Sequence, residues 1–221
     1  MVEMPSLVRR VRIAAAAGAF DVTRRLSGKE HAPMPLATPR DLFIHDLSDM
    51  LSAENIIRGM LGEVISETKV AAHKQAFQQH LKETEGHIKT LKAVFKAIGE
   101  QAEPIVCHGA EGLKKEHDSL KEERPTGHVL EMGLLGGASK TEHYEIASYS
   151  DLVQTAKDLG EPEAARLLKE NLDQEKAMAK TVETLSKAVG KEVKAQAKGS
   201  KPTTRSVATS GSGAKKHTPT A

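Results

Sequence analysis

Two stretches of this 221-residue chain place candidate metal ligands at the same spacing. Glu54 precedes Thr84 by 30 residues, and His87 follows Thr84 at +3. Glu145 precedes Glu175 by 30 residues, and Met178 follows at +3. Carboxylates with one or two imidazoles suit iron or manganese better than structural zinc. Di-metal bundles use a carboxylate on one helix of each hairpin and Glu-x-x-His on the other. Here each hairpin keeps half of that pair, Thr84-x-x-His87 in the first and Glu175-x-x-Met178 in the second. Glu83, four residues before His87, stands in for the carboxylate missing at Thr84, and Glu142, three before Glu145, for the ligand missing at Met178. The expected metal set is Glu54, Glu83, His87, Glu142, Glu145 and Glu175. Tyr149, one turn from Glu145, is the candidate catalytic residue, placed to hydrogen-bond a ligand or donate an electron; the alternative is a core tyrosine with a satisfied hydroxyl. His80 lies a turn away from the set and reads by itself as a hydrogen-bonded core histidine.

Helices must position these groups. Thr38-Pro39-Arg40-Asp41 has the form of a helix start, with a threonine cap, proline at the first position and an acid at the third. Gly99, Gly160 and Gly190 read as helix stops, and Glu161-Pro162 opens another helix. Between Ser66 and Val70 neither glycine nor proline marks a boundary, and Thr68 is the one candidate cap. The pattern predicts four long helices, about 41–66, 70–98, 130–159 and 162–189, with a short helix near 111–122 in the connection. Each long helix is roughly 40–45 Å at 1.5 Å per residue. Two helical hairpins joined by a long crossover is the ferritin-like order of a four-helix bundle, so the fold class is all-α.

The inward stripes are apolar at their ends and polar in their middles. They run Leu47-Met50-Glu54-Ile57-Leu61, Phe77-His80-Thr84-His87-Leu91, Leu135-Glu142-Glu145-Tyr149-Leu152 and Leu168-Asn171-Glu175-Met178-Val182. The polar positions coincide with the helix midpoints and fall in one layer. Several carboxylates buried together are costly unless positive charge neutralises them. The stripes offer one side-chain cation, Arg58, so bound metal is the economical answer.

Aromatic residues make up 3% of the chain, which disfavours a β-sandwich and an aromatic platform for single-stranded nucleic acid. The single Cys107 excludes an intrachain disulfide and fits a reducing, cytoplasmic setting. No apolar run is long enough for a bilayer, so no membrane association is expected. Charge is segregated: residues 1–40 carry +4, residues 191–221 carry +6, and the middle carries −8. Residues 1–37 read as a basic, flexible arm, 38–190 as the bundle, and 191–221 as a disordered basic tail.

Five stretches, LFIHDLSDMLSAEN (42–55), AFQQHLKETEGHIKTLKAVFKAIG (76–99), CHGAEGL (107–113), KTEHYEIASY (140–149) and LLKENLDQEKA (167–177), resemble the YciE/YciF family of ferritin-like proteins over roughly residues 40–188. The resemblance implies a compact bundle, a homodimer, a di-metal centre and a ferroxidase-type activity linked to stress responses. Its carry-over falls on Glu54, Glu83, His87, Glu142, Glu145 and Glu175. Gln174 stands where the family often has an acid, and by the stripe it faces away from the site.

Three function classes follow. The first is an oxidoreductase that holds two iron ions and oxidises Fe(II) with O2 or peroxide, with a manganese catalase-like centre as its variant. The second is a metal-binding stress protein without catalysis. The third is weak, non-specific nucleic-acid association through the basic tail, against the plainer role of a solubilising tail.

Overall fold

The computed structural model describes residues 36–199. They form five helices: α1 (Pro39–Glu67), α2 (Ala71–Ile98), α3 (His108–Glu122), α4 (His128–Asp158) and α5 (Pro162–Gly199). There is no strand among the described residues. α1 starts with a reciprocal capping box. The Thr38 hydroxyl accepts the Asp41 amide at 3.1 Å, and the Asp41 carboxylate accepts the Thr38 amide at 2.8 Å. Gly99 and Gly160 close α2 and α4 in the left-handed region, with φ 75° and 73°. Arg40 draws three chain ends together: its guanidinium donates to Ile98 O at 2.7 Å, to Glu161 at 2.8 Å and to Glu100 at 3.3 Å.

α4 packs most extensively on α5, α1 on α2, and α2 on α5, while α1 also touches α4. α2 and α4 are therefore diagonal in the four-helix bundle. The crossover must pass outside it, and α3 lies over α1 and α4. Cys107 starts α3: its Sγ accepts the Ala110 amide and stands 2.9 Å from the Tyr144 hydroxyl. Ion pairs fasten α3 to α1, with Lys121 Nζ 2.7 Å from Glu63 and 3.0 Å from Glu67, and Lys114 Nζ 3.1 Å from Glu63. The predicted inward stripes are the buried ones. Phe43, Leu47, Phe77, Leu91, Tyr149, Leu168 and Val182 are fully enclosed.

Two local expectations are corrected. Thr68 does not start α2; it ends α1, and its hydroxyl donates to the buried Glu131 of α4 at 2.7 Å. The same carboxylate accepts the Lys69 amide at 2.8 Å and lies 2.7 Å from His73 Nδ1. The corner thus takes its shape from a distant acid rather than from a glycine or proline. Secondly, α5 does not stop at Gly190, and the tail does not begin at Lys191. The helix continues to Gly199, carried by Val189 and Val193 against the core and by Gln196 Nε2 at 2.8 Å from His128 Nε2. These contacts outweigh the roughly 1 kcal/mol that one helical glycine costs. Residues 1–35 and 200–221, which hold most of the basic arm and tail, lie outside the described residues.

Gly190 sits mid-helix with nothing within 4 Å of an added Cβ. Gly190→Ala should therefore stabilise the protein by about 0.5–1 kcal/mol in urea denaturation. A loss of stability would place a helix end at Gly190.

Candidate metal centre

Midway along the bundle the apolar core is interrupted by one charged layer. Glu54 comes from α1, His80 and His87 from α2, Glu142 and Glu145 from α4, and Glu175 from α5. None is more than 1% exposed. Their ligand atoms fall into two overlapping groups, His80-Glu142-Glu145-Glu175 and Glu54-His87-Glu175, each within 4.8 Å. Glu175 belongs to both groups. His80 Nε2 lies 3.2 Å from Glu142 Oε1 and 3.7 Å from Glu175 Oε2. His87 Nδ1 lies 2.8 Å from Glu175 Oε1 and 3.3 Å from Glu54 Oε1.

Each imidazole turns one nitrogen to the acids and the other outward. His87 Nε2 is 2.8 Å from Gln174 Oε1, and His80 Nδ1 is 3.5 Å from Glu83 Oε2. Metal-binding histidines are commonly held this way, the outer partner setting tautomer and ring orientation. Tyr149 donates its hydroxyl to Glu54 and accepts from Asn171 Nδ2 at 3.0 Å. Its ring meets that of His87 edge-on, with centroids 6.0 Å apart. Tyr149 therefore positions a ligand-type carboxylate from within the core.

The layer is left unsatisfied by the protein itself. Both oxygens of Glu145 and one each of Glu54 and Glu142 have no hydrogen-bond partner. Glu175, His80 and His87 meet at ion-pair distance, but no well-formed hydrogen bond closes the Glu175 oxygens, either His80 nitrogen or His87 Nδ1. A buried polar atom without a partner costs about 1–3 kcal/mol, and more when charged. Arg58, the one cation on the predicted stripes, is exposed. Burial, then Glu175, Glu54 and Glu142, hold the Glu145 carboxyl well above the ordinary carboxylate range. Burial also raises Glu54 and Glu175, against the pull of His87. For His87 burial works downward, but Glu175 and Glu54 overcome it and raise the imidazole to about 10. A divalent cation on these inward atoms would satisfy them, and oxygen-rich donors with two imidazoles fit iron or manganese.

Five of the six residues expected from the sequence are thus brought together: Glu54, His87, Glu142, Glu145 and Glu175. Glu83 stays at the rim, partly exposed, taking a hydrogen bond from Gln79 at 2.9 Å and backing His80. Two expectations change. His80 enters the acid layer, because α2 turns His80 and His87, two helical turns apart, to the same face. Its place on the inward stripe, four residues before Thr84 and seven before His87, is the signal for it. Gln174 does not face away; it neighbours Glu175, and its flexible side chain reaches the His87 ring. A third group, Glu63-Glu67-His117, joins α1 to α3 at the protein surface, where Lys114 and Lys121 already neutralise its acids.

Fold and site together define a helical bundle with a carboxylate–imidazole core. The family described as a domain of unknown function, DUF892, matches residues 38–197, and the chain belongs to that family. Protein YciF of Escherichia coli strain K12 is 39% identical over 145 residues, 65% of this chain and 87% of its own length. The crystal structure of the E. coli stress protein YciF aligns with a TM-score of 0.69 at 36% identity, over 71% of this chain and 99% of that one. YcfI from Rhodopseudomonas palustris aligns with a TM-score of 0.65 at 35% identity, over 66% and 94%. These relatives bear out the resemblance drawn from the motifs. Among the described residues no helix is long and apolar enough to cross a membrane.

The buried groups predict a pH dependence. Glu54, Glu145, Glu175 and His87 all hold protons more tightly folded than unfolded. Their contribution is complete below the unfolded values and is lost as pH rises through the raised ones. In a chelator, the melting temperature should fall as pH rises from about 5 through the raised His87 value of about 10. Glu145→Gln should flatten that fall, and added metal should abolish it. A metal-free protein equally stable across this range would contradict the buried-acid account.

Proposed function

We propose that the buried layer binds two iron ions and that the protein oxidises Fe(II) with O2 or peroxide. The observation that carries this reading is the convergence of four buried carboxylates and two imidazoles that lack well-formed hydrogen bonds to close their facing atoms. Two overlapping ligand groups joined by Glu175 fit two ions rather than one. Two Fe(II) ions supply the two electrons that reduce O2 to peroxide or peroxide to water.

The chain's own residues divide the work. Glu54 and His87 would hold one ion and His80, Glu142 and Glu145 the other, with Glu175 belonging to both groups. Burial and the neighbouring carboxylates raise the Glu145 carboxyl, and it would bind a cation as the carboxylate. Tyr149 and Asn171 keep Glu54 in place, while Gln174 and Glu83 orient the two imidazoles. A part in the stress response is proposed on the likeness to YciF, described as a stress protein.

The test is metal content and turnover of the full chain. Anaerobic Fe(II) loading followed by mass spectrometry should give two ions per chain. Addition of O2 or peroxide should then oxidise iron faster than in buffer. Glu175→Ala removes a residue from both groups and should bring the content below one ion. Glu83→Gln should keep the stoichiometry and weaken affinity about tenfold, because it touches only the outer nitrogen of His80. Two bound ions without accelerated oxidation would overturn the oxidase reading. Failure to bind any would overturn the centre itself. Peroxide disproportionation by manganese-loaded protein would move the assignment to the catalase-like variant.

A further inference from the structure

A cavity of about 780 Å³ lies between α3 and the faces of α1, α2 and α4. Its walls are apolar: Ile57, Leu61 and Val64 from α1, Phe77 from α2, and Leu113 and Leu120 from α3. One end is lined by His80 and Glu142 of the charged layer. His80 is fully enclosed, its Nδ1 3.5 Å from Glu83 and its Nε2 3.2 Å from Glu142 Oε1, while Glu142 Oε2 has no hydrogen-bond partner. The polar end is therefore part of the buried layer, and the apolar body leads away from it towards α3.

Glycines border this space on two helices. α4 carries Gly133, Gly136 and Gly137 along the cavity, and α3 carries Gly112. Each glycine weakens the helix that holds it. Gly133 has a packing reason, since a Cβ there would stand 2.7 Å from Leu120 Cδ2. Gly112, Gly136 and Gly137 have none: an added Cβ would meet nothing within 4 Å. These three are exposed and border open space at the mouth of the cavity.

The space is far larger than the roughly 30 Å³ that one water occupies in the liquid, so it exceeds what O2 or peroxide needs. Apolar walls do not suit a hydrated ion. Pockets of this size and character hold drug-sized organic molecules. In the metal-free protein the Glu142 carboxylate at the inner end disfavours an anionic group. At the outer lining Glu116 and Lys140 neutralise each other as an ion pair.

We propose that this cavity binds an uncharged, largely apolar organic molecule and presents one end of it to His80 and Glu142. The presentation to a metal centre rests on the function proposed above; the capacity to bind the molecule does not.

The experiment uses the full chain, metal-free and loaded with cobalt(II), titrated with the uncharged fluorescent dye N-phenyl-1-naphthylamine. Both forms should bind one dye per chain, and 1-dodecanol should displace it more strongly than dodecanoate. The dye should alter the visible cobalt bands. Gly137→Leu and Ala138→Phe, which fill the cavity, should each weaken dye binding at least tenfold. Their cobalt spectra should remain as in the unsubstituted protein, which shows that the bundle is folded. Absence of saturable binding, or equal binding by both filled variants, would overturn the proposal. Equal displacement by dodecanoate would overturn the uncharged class, and unchanged cobalt bands would overturn presentation to the centre. A chain that binds no cobalt would instead count against the metal reading, while the metal-free titration still decides the cavity.

Discussion

Four glutamates converge in the dry middle of the bundle with no lysine or arginine among them, and much of the surrounding structure answers to that fact. Carboxylates in such a place repel one another and lose their water. The apolar layers on either side, from Phe43 and Leu47 to Leu168 and Val182, supply the burial that lets the fold tolerate the layer. Tyr149 and Asn171 satisfy only one edge of it. Such an arrangement is costly as scaffolding and sensible as a cation cage.

The two hairpins do not contribute equally. α2 supplies both imidazoles, and α4 supplies two carboxylates, while α1 and α5 give one carboxylate each. Four carboxylates and two imidazoles are also what two symmetric hairpins carrying Glu-x-x-His would provide. The ligand types are conserved as a sum while their distribution over the helices is changed. The thioether at Met178 is compensated across the bundle by His80, whose Nε2 reaches Glu175. What the cluster requires is atoms in a layer, and any helix that faces the layer can deliver them.

The acid layer is legible in the sequence because helical periodicity and equal helix lengths predict both face and height. Glu54, Glu142, Glu145 and Glu175 each interrupt an apolar stripe at its midpoint. His80 is harder to read, since a histidine on an apolar stripe satisfies a core role and a ligand role equally well. Gln174 escapes because periodicity places the Cα, whereas a long side chain can swing back towards its neighbour's face. The continuation of α5 escapes because a glycine followed by polar residues carries the signature of a helix end, and the contact that overrides it is made with His128, more than sixty residues earlier. The cavity escapes because it depends on how α3 lies over α1 and α4, which helical periodicity does not fix.

The Glu131 carboxylate, which gathers Thr68, Lys69 and His73, carries a consequence for how the chain assembles. The turn between the first two helices has two local bonds, from the Thr68 amide to Val64 O and from the Val70 amide to Thr68 Oγ1, but the acid that gathers it lies 63 residues ahead. Until α4 arrives, the buried side of that corner, Thr68 Oγ1, the Lys69 amide and His73, lacks the carboxylate that joins them. Closing the corner is therefore a non-local event, with the loop entropy of the whole crossover charged against it. The bundle should gain its first hairpin and its third long helix in one cooperative step. The two-hairpin repeat visible in the sequence is then a repeat of geometry, and no longer a division into independently folding halves.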